Sequence, residues 1–176
     1  MMIPMWFHNL YKPLTGRGST GFTLIELLVT TAIALVLAGG ALAAYNRFNS
    51  QQGHIQAGKN VIATLERTKS RALNGDKPDD CESVLDAYRV SASNNSNSYQ
   101  ISAICGGNVV NTQQHQLPPS MVFTQGFVVN FPSLPGVVGS GDQTIAISRQ
   151  GTDYIYEFII RQTGTIEDIG LSRTGD

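Results

Sequence analysis

Cysteine is nearly absent from this chain, whose 176 residues hold only Cys81 and Cys105. Two thiols cannot supply a four-cysteine zinc site or the several bridges of a disulfide-rich mini-fold. Net charge is nearly absent too. Twelve Lys and Arg stand against thirteen Asp and Glu, a formal −1, so no overall field draws the chain to nucleic acid or to an acidic membrane. Histidine is sparse and scattered. His8 lies in the N-terminal stretch, His54 on a helix surface and His115 in a Gln-rich loop; none stands at ligand spacing from another His or Cys, and all three read as solvated. A Gly-rich phosphate loop, a nucleophile elbow and a paired Cys-His arrangement are all lacking. The chain therefore reads as non-enzymatic, with no catalytic residue, no metal site and no cofactor. Internal repeats and long low-complexity linkers are missing as well, and the length leaves room for one modest domain plus a tail or anchor.

What the chain does have is an uneven beginning. Met1 to Gly21 carries Lys12 and Arg17 and no acid, leaving −3 for the remainder. From Phe22 to Ala44 the sequence FTLIELLVTTAIALVLAGGALAA holds one ionisable residue, Glu26, and no proline. As a helix rising ~1.5 Å per residue it reaches roughly 35 Å, enough to cross a hydrocarbon core of about 30 Å. A buried core helix is the alternative, but such helices rarely stay apolar on every face for so long. Lys12 and Arg17 hold their side in the cytoplasm, which sends the C-terminal bulk across the membrane. Both cysteines then reach an oxidising compartment, where a Cys81–Cys105 disulfide would contribute roughly 3 kcal/mol. Ala41-Leu42-Ala43 also offers a small-x-small site for ordinary signal peptidase, so an exported soluble binding domain or enzyme is a rival reading.

Beyond Ala44 the pattern turns amphipathic. Tyr45, Phe48, Ile55, Ile62 and Leu65 recur at helical spacing, with Arg47, Lys59, Glu66 and Lys69 between them. The helix is expected to run to about Leu73 and to stop at Asn74-Gly75. Strands are expected at Leu85–Ala92, Tyr99–Cys105, Met121–Phe131, Thr144–Ser148, Tyr154–Arg161 and Thr165–Ile169, with a hairpin turn at Asn94 to Asn97. Pro118-Pro119, Pro132, Pro135-Gly136 and Gly139-Ser140-Gly141 punctuate the later strands. The fold class is α+β, a long N-terminal helix packed on a small antiparallel β domain.

Gly21-Phe22-Thr23-Leu24-Ile25-Glu26-Leu27-Leu28-Val29 closely resembles the prepilin cleavage and methylation motif: a glycine before a phenylalanine, a carboxylate at the fifth residue after the cut, a basic leader and a following apolar span. The resemblance implies a pilin-like fold and a membrane peptidase that cuts between Gly21 and Phe22 and methylates the new amine. Within pilin-like proteins the remainder resembles the GspH/FimT type of minor pseudopilin, on Leu65-Glu66-Arg67-Thr68-Lys69-Ser70-Arg71-Ala72 before a glycine turn and a β-rich half ending in Ile159, Ile160 and the Gly164-Thr165-Ile166 turn. The leader is longer and more apolar than is common, through Ile3, Met5, Trp6 and Phe7, and a start at Met5 would shorten it.

The chain accordingly divides into a leader at 1–21, a transmembrane helix at 22–44, its amphipathic continuation at 45–74 and a β-rich domain at 75–176. The resemblance implies a subunit of a type IV pilus or type II secretion pseudopilus, single-pass in the cytoplasmic membrane with its domain on the outer side. Its partners would be prepilin peptidase, other pilins or pseudopilins, the inner-membrane assembly platform and membrane lipid. Glu26 is the assembly residue. A carboxylate within a hydrocarbon span costs on the order of 3 kcal/mol, and the ammonium created on Phe22 of a neighbouring subunit could pair with it. Ala34/Ala38, Gly39/Ala43 and Gly40/Ala44 permit close helix contact, although Gly39-Gly40 could instead be a point of bending. Asp76, Asp79, Asp80 and Glu82 lack the register of a calcium loop and read as a solvated acidic turn. Some FimT-like proteins are DNA receptors with a basic C-terminal region. Here acids and bases nearly cancel from Arg161 to Asp176, so nucleic acid is not an expected partner.

Overall fold

The computed structural model describes residues 21–134, 136, 138–139 and 141–173. The expectations for His8, Lys12, Arg17, the start at Met5, Pro135 and Ser140 lie outside these residues. One helix, α1, runs from Leu24 to Leu73. Its start is set by Thr23, whose hydroxyl accepts the Glu26 N–H at 3.2 Å while its carbonyl accepts that of Leu27, an N-cap with Glu26 at the third helical position. Its end is a Schellman motif. Gly75, at φ +64°, donates its N–H to Ala72, and Asp76 donates to Arg71, so two otherwise orphaned carbonyls are satisfied.

Internal contacts divide the chain between Ala43 and Ala44. In the first unit every described residue is exposed. In the second, α1 buries His54, Ala57, Gly58, Val61, Leu65, Thr68 and Ala72, a stripe at spacings of three and four. This stripe corrects the expected one. Leu65 belongs to it, Ile55 and Ile62 flank it half-buried, and Tyr45 and Phe48 are exposed. The seam is drawn by small residues because the helix lies close to the sheet: a Cβ on Gly58 would fall inside the ring of Tyr156.

Eight strands follow: β1 (Leu85–Ala92), β2 (Ser98–Cys105), β3 (Asn108–Gln116), β4 (Met121–Phe123), β5 (Phe127–Pro132), β6 (Gln143–Arg149), β7 (Tyr154–Ile160) and β8 (Ile166–Arg173). They form two antiparallel sheets of four strands, ordered β3-β2-β1-β5 and β4-β6-β7-β8. With α1 they make an α+β, pilin-like arrangement. The core takes Leu65 from the helix, Val90, Val129 and Phe131 from the first sheet, and Phe123, Ile145, Ile147, Tyr156 and Phe158 from the second. Each such side chain contributes roughly 1.5–3 kcal/mol by leaving water.

Three departures from the expected strands have local causes. Residues 121–131 are not one strand, because the chain crosses between sheets at Gln125-Gly126, where a Cβ on Gly126 would stand 3.0 Å from the carbonyl oxygen of Ala92. β3 is an additional strand, joined to β2 through Gly106-Gly107, both at positive φ, with Cys105 paired to Asn108. β8 continues past Ile169 by absorbing a bulge near Gly170, at φ +100°.

Cys81 and Cys105 are joined by a disulfide, with Cα atoms 5.8 Å apart and a sequence separation of 24. The bridge ties the segment after α1 to the end of β2. Closing a loop of that length is worth about 3–4 kcal/mol in the chain-entropy model. We expect Cys81→Ser/Cys105→Ser to lower unfolding free energy by about that much, measured by urea denaturation of the oxidised and mutant chains. Equal midpoints would show that the bridge contributes nothing to stability.

Candidate functional site

The expected processing and assembly residues gather at the start of α1. Gly21, Phe22 and Thr23 precede the helix and are exposed, so the Gly21–Phe22 peptide stands outside regular hydrogen bonding. Glu26 is in the first helical turn, exposed, one turn beyond Phe22. Among the described residues the salt bridges fall on Glu66, Asp76, Asp142 and Glu167, not on Glu26. Among the described residues its compensation is the positive end of the helix dipole.

Around this carboxylate the helix presents a largely apolar surface. Phe22, Leu24, Ile25, Leu35, Val36 and Leu37 are each more than two-thirds exposed. The polar hydroxyls of Thr30 and Thr31 donate back to the carbonyls of Leu27 and Leu28, each at 3.0 Å, so neither needs water. The helix is unbroken through Gly39-Gly40, where an added Cβ would meet nothing within 4 Å. By length and composition α1 can cross a membrane. A continuous apolar surface of this size calls for lipid or partner helices.

The other residues singled out in the sequence are dispersed. His54 is fully buried, correcting its placement on a solvated surface. Its Nδ1 donates to the Ser50 carbonyl at 2.8 Å, and Nε2 lies 3.3 Å from the Thr152 hydroxyl. The helical seam, drawn by small residues, turns this face inward. His115 is not in a loop but in β3, half-buried and stacked on Tyr99 at 5.2 Å. Asp76 pairs with Arg71 at 3.0 Å, whereas Asp80 accepts from Asn111 at 3.2 Å, so the acidic turn is spent on separate contacts. An open groove of about 610 Å³ beside the end of α1 is lined by Leu73, Lys77, Glu82, Val84, Ser133 and Leu134 among others, and the Ser133 hydroxyl there donates to the Leu85 carbonyl at 2.6 Å.

Near the C-terminal end, Arg161 donates to Asp142 at 2.8 Å and to Glu167 at 2.6 Å. The Arg161 hydrogen bond is the largest influence on both acids and holds each carboxyl below its usual range. This cation is already neutralised. Tyr156, buried in the core, donates to Asp168 at 2.5 Å, and burial followed by that hydrogen bond pushes its phenol upward. Sequence reasoning missed one feature of the helix, the polar cluster that Arg47 makes with Tyr154. Its only trace in the sequence is a cation soon after an apolar run.

Comparison with known families finds one correspondence. Residues 16–42 match the family model described as a prokaryotic N-terminal methylation motif. The match ends before the β domain. This is the motif of type IV pilin-like proteins that prepilin peptidase processes, and such proteins are structural. No curated protein and no solved structure matches the chain.

Proposed function

We propose that this pilin-like chain is a minor pseudopilin of a type IV pilus or type II secretion system, cut between Gly21 and Phe22 and assembled through its N-terminal helix. The observation that carries the reading is a methylation motif at residues 16–42 continuing into an apolar, exposed helix whose carboxylate in that apolar stretch, Glu26, forms no salt bridge among the described residues. Peptidase cleavage hydrolyses the Gly21–Phe22 amide and frees an amine on Phe22, whose lone pair then takes a methyl group from a sulfonium methyl donor as the S–CH3 bond breaks and a neutral thioether leaves. The methylated amine stays a cation. Two charges 4 Å apart attract by roughly 4 kcal/mol at an effective dielectric of about 20, enough to offset the cost of placing Glu26 in hydrocarbon. Pairing the ammonium of one subunit with Glu26 of another therefore sets their stagger.

On this reading the domain lies on the outer side of the cytoplasmic membrane, where Cys81 and Cys105 oxidise. The partners are prepilin peptidase, other pilins and the assembly platform. The role is structural rather than enzymatic. A DNA-receptor role is less well supported, because Arg161 is committed to Asp142 and Glu167 and has little counterion release to offer.

N-terminal sequencing with intact mass, on protein from a host carrying prepilin peptidase, tests the assignment. The expected product begins at N-methyl-Phe22 and stays in the membrane fraction. A soluble product beginning near Ala44 would mean that signal peptidase cut after Ala43, and the pseudopilin reading would fall.

A further inference from the structure

Arg47 stands three residues beyond the apolar run that ends at Ala44, about 5 Å along the helix axis. Its Nε donates to the phenol oxygen of Tyr154 at 3.1 Å. The Arg173 guanidinium lies 5.7 Å from the centroid of the same ring. On the helix side His54 meets the ring edge-on at 6.3 Å. A further donor is nearby. Arg149 lays its guanidinium against Gly53, and its Nε is buried without a hydrogen-bond partner among the described residues. Two arginines are therefore gathered on one phenol.

We propose that Arg47 and Arg173, gathered on Tyr154, form a site for the phosphate headgroup of an anionic phospholipid at the membrane boundary. The inference rests on the membrane-spanning reading of residues 22–44. Charge complementarity and position select the occupant. Two guanidinium groups match phosphate oxygens in geometry as well as sign. Arg47 cannot stand far from the headgroups if the preceding run spans the bilayer. Tyr45 and Phe48, 64% and 58% exposed beside it, are aromatic residues of the kind that settle at that depth. An anionic lipid would pair with these cations and restrain the domain before assembly.

The test uses the processed chain in nanodiscs of equimolar phosphatidylglycerol and phosphatidylcholine, with native mass spectrometry of the lipid retained after detergent release. Phosphatidylglycerol should be enriched over its bulk share. Each of Arg47→Gln and Arg173→Gln should reduce that preference about fivefold, the effect of roughly one surface cation near an anionic leaflet. Circular dichroism and the intact disulfide verify folding. Equal retention of both lipids, or enrichment unchanged in the two variants, overturns the site. Full competition by inorganic phosphate would assign it to free anions instead. Variants that keep lipid preference but fail to enter filaments would assign it to a neighbouring subunit. A chain absent from the membrane fraction defeats the parent reading as well, whereas an inserted chain without lipid preference defeats only this one.

Discussion

Gly58→Ala is expected to destabilise the domain by about 2 kcal/mol, and Gly58→Leu to prevent α1 from docking at all. Alanine normally improves a helix by about 1 kcal/mol relative to glycine, so the expected sign runs against propensity. The reason is the ring of Tyr156, which occupies the space a Cβ would need. That ring cannot easily withdraw. It is 1% exposed, and its hydroxyl is bonded to Asp168 at 2.5 Å, so moving it disturbs a buried hydrogen bond as well as packing. Overpacking of this kind costs about 1–3 kcal/mol, and the larger leucine has nowhere to turn. Gly39→Ala is the matched control, because there an added Cβ meets nothing within 4 Å. Urea denaturation followed by near-UV circular dichroism of the full chains would decide it. A Gly58→Ala chain as stable as the wild type would mean that the helix is not seated on Tyr156 as the structure has it.

That contact also shows where sequence pattern stops informing. The helix and its stop at Asn74-Gly75 were legible because periodicity and a left-handed glycine are local properties. Which stripe faces the sheet was not. Large residues such as Tyr45 and Phe48 attract attention, but the seam needed small ones, and Gly58 is informative only once Tyr156 is known to oppose it. His54 was misplaced for the same reason. It lies four residues before Gly58 on the inward stripe, and its partner Thr152 is 98 residues away in sequence.

The strands divide along similar lines. β1, β2, β6 and β7 carry enough β-branched or aromatic residues to declare themselves. β3, with the sequence NVVNTQQHQ, shows little apolar alternation and is held by pairing to β2. The Gly106-Gly107 pair, a two-residue hairpin signal, was the clue available. The break within 121–131 depends on the carbonyl of Ala92 approaching Gly126, a contact between segments that no local pattern encodes. At the N-terminus the legibility is reversed. Among the described residues Gly21, Phe22 and Glu26 make no tertiary contact that identifies them, and their significance is carried by the motif.

Glu26→Val is expected to leave export and insertion intact while lowering incorporation into filaments at least tenfold, a change equivalent to about 1.4 kcal/mol in a binding equilibrium. Insertion rests on the apolar run, and removing a carboxylate relieves a penalty of roughly 3 kcal/mol there, so membrane levels should hold or rise. The start of the helix should also survive. The donor to Thr23 is the backbone N–H of residue 26, which every substitution except proline retains. What disappears is the negative charge that an incoming Phe22 ammonium would meet. Glu26→Gln separates this charge from side-chain size, since it keeps the length and loses only the ionised oxygen. It should assemble almost as poorly as valine, while Glu26→Asp, with the charge one methylene shorter, should fall between. The measurement is the ratio of sheared-filament to membrane-fraction protein, with N-terminal sequencing to establish that every variant is processed at Gly21. Glutamine at wild-type levels would show that the carboxylate's charge is not what sets the register, and loss of membrane insertion in the valine variant would contradict the separation of anchoring from assembly.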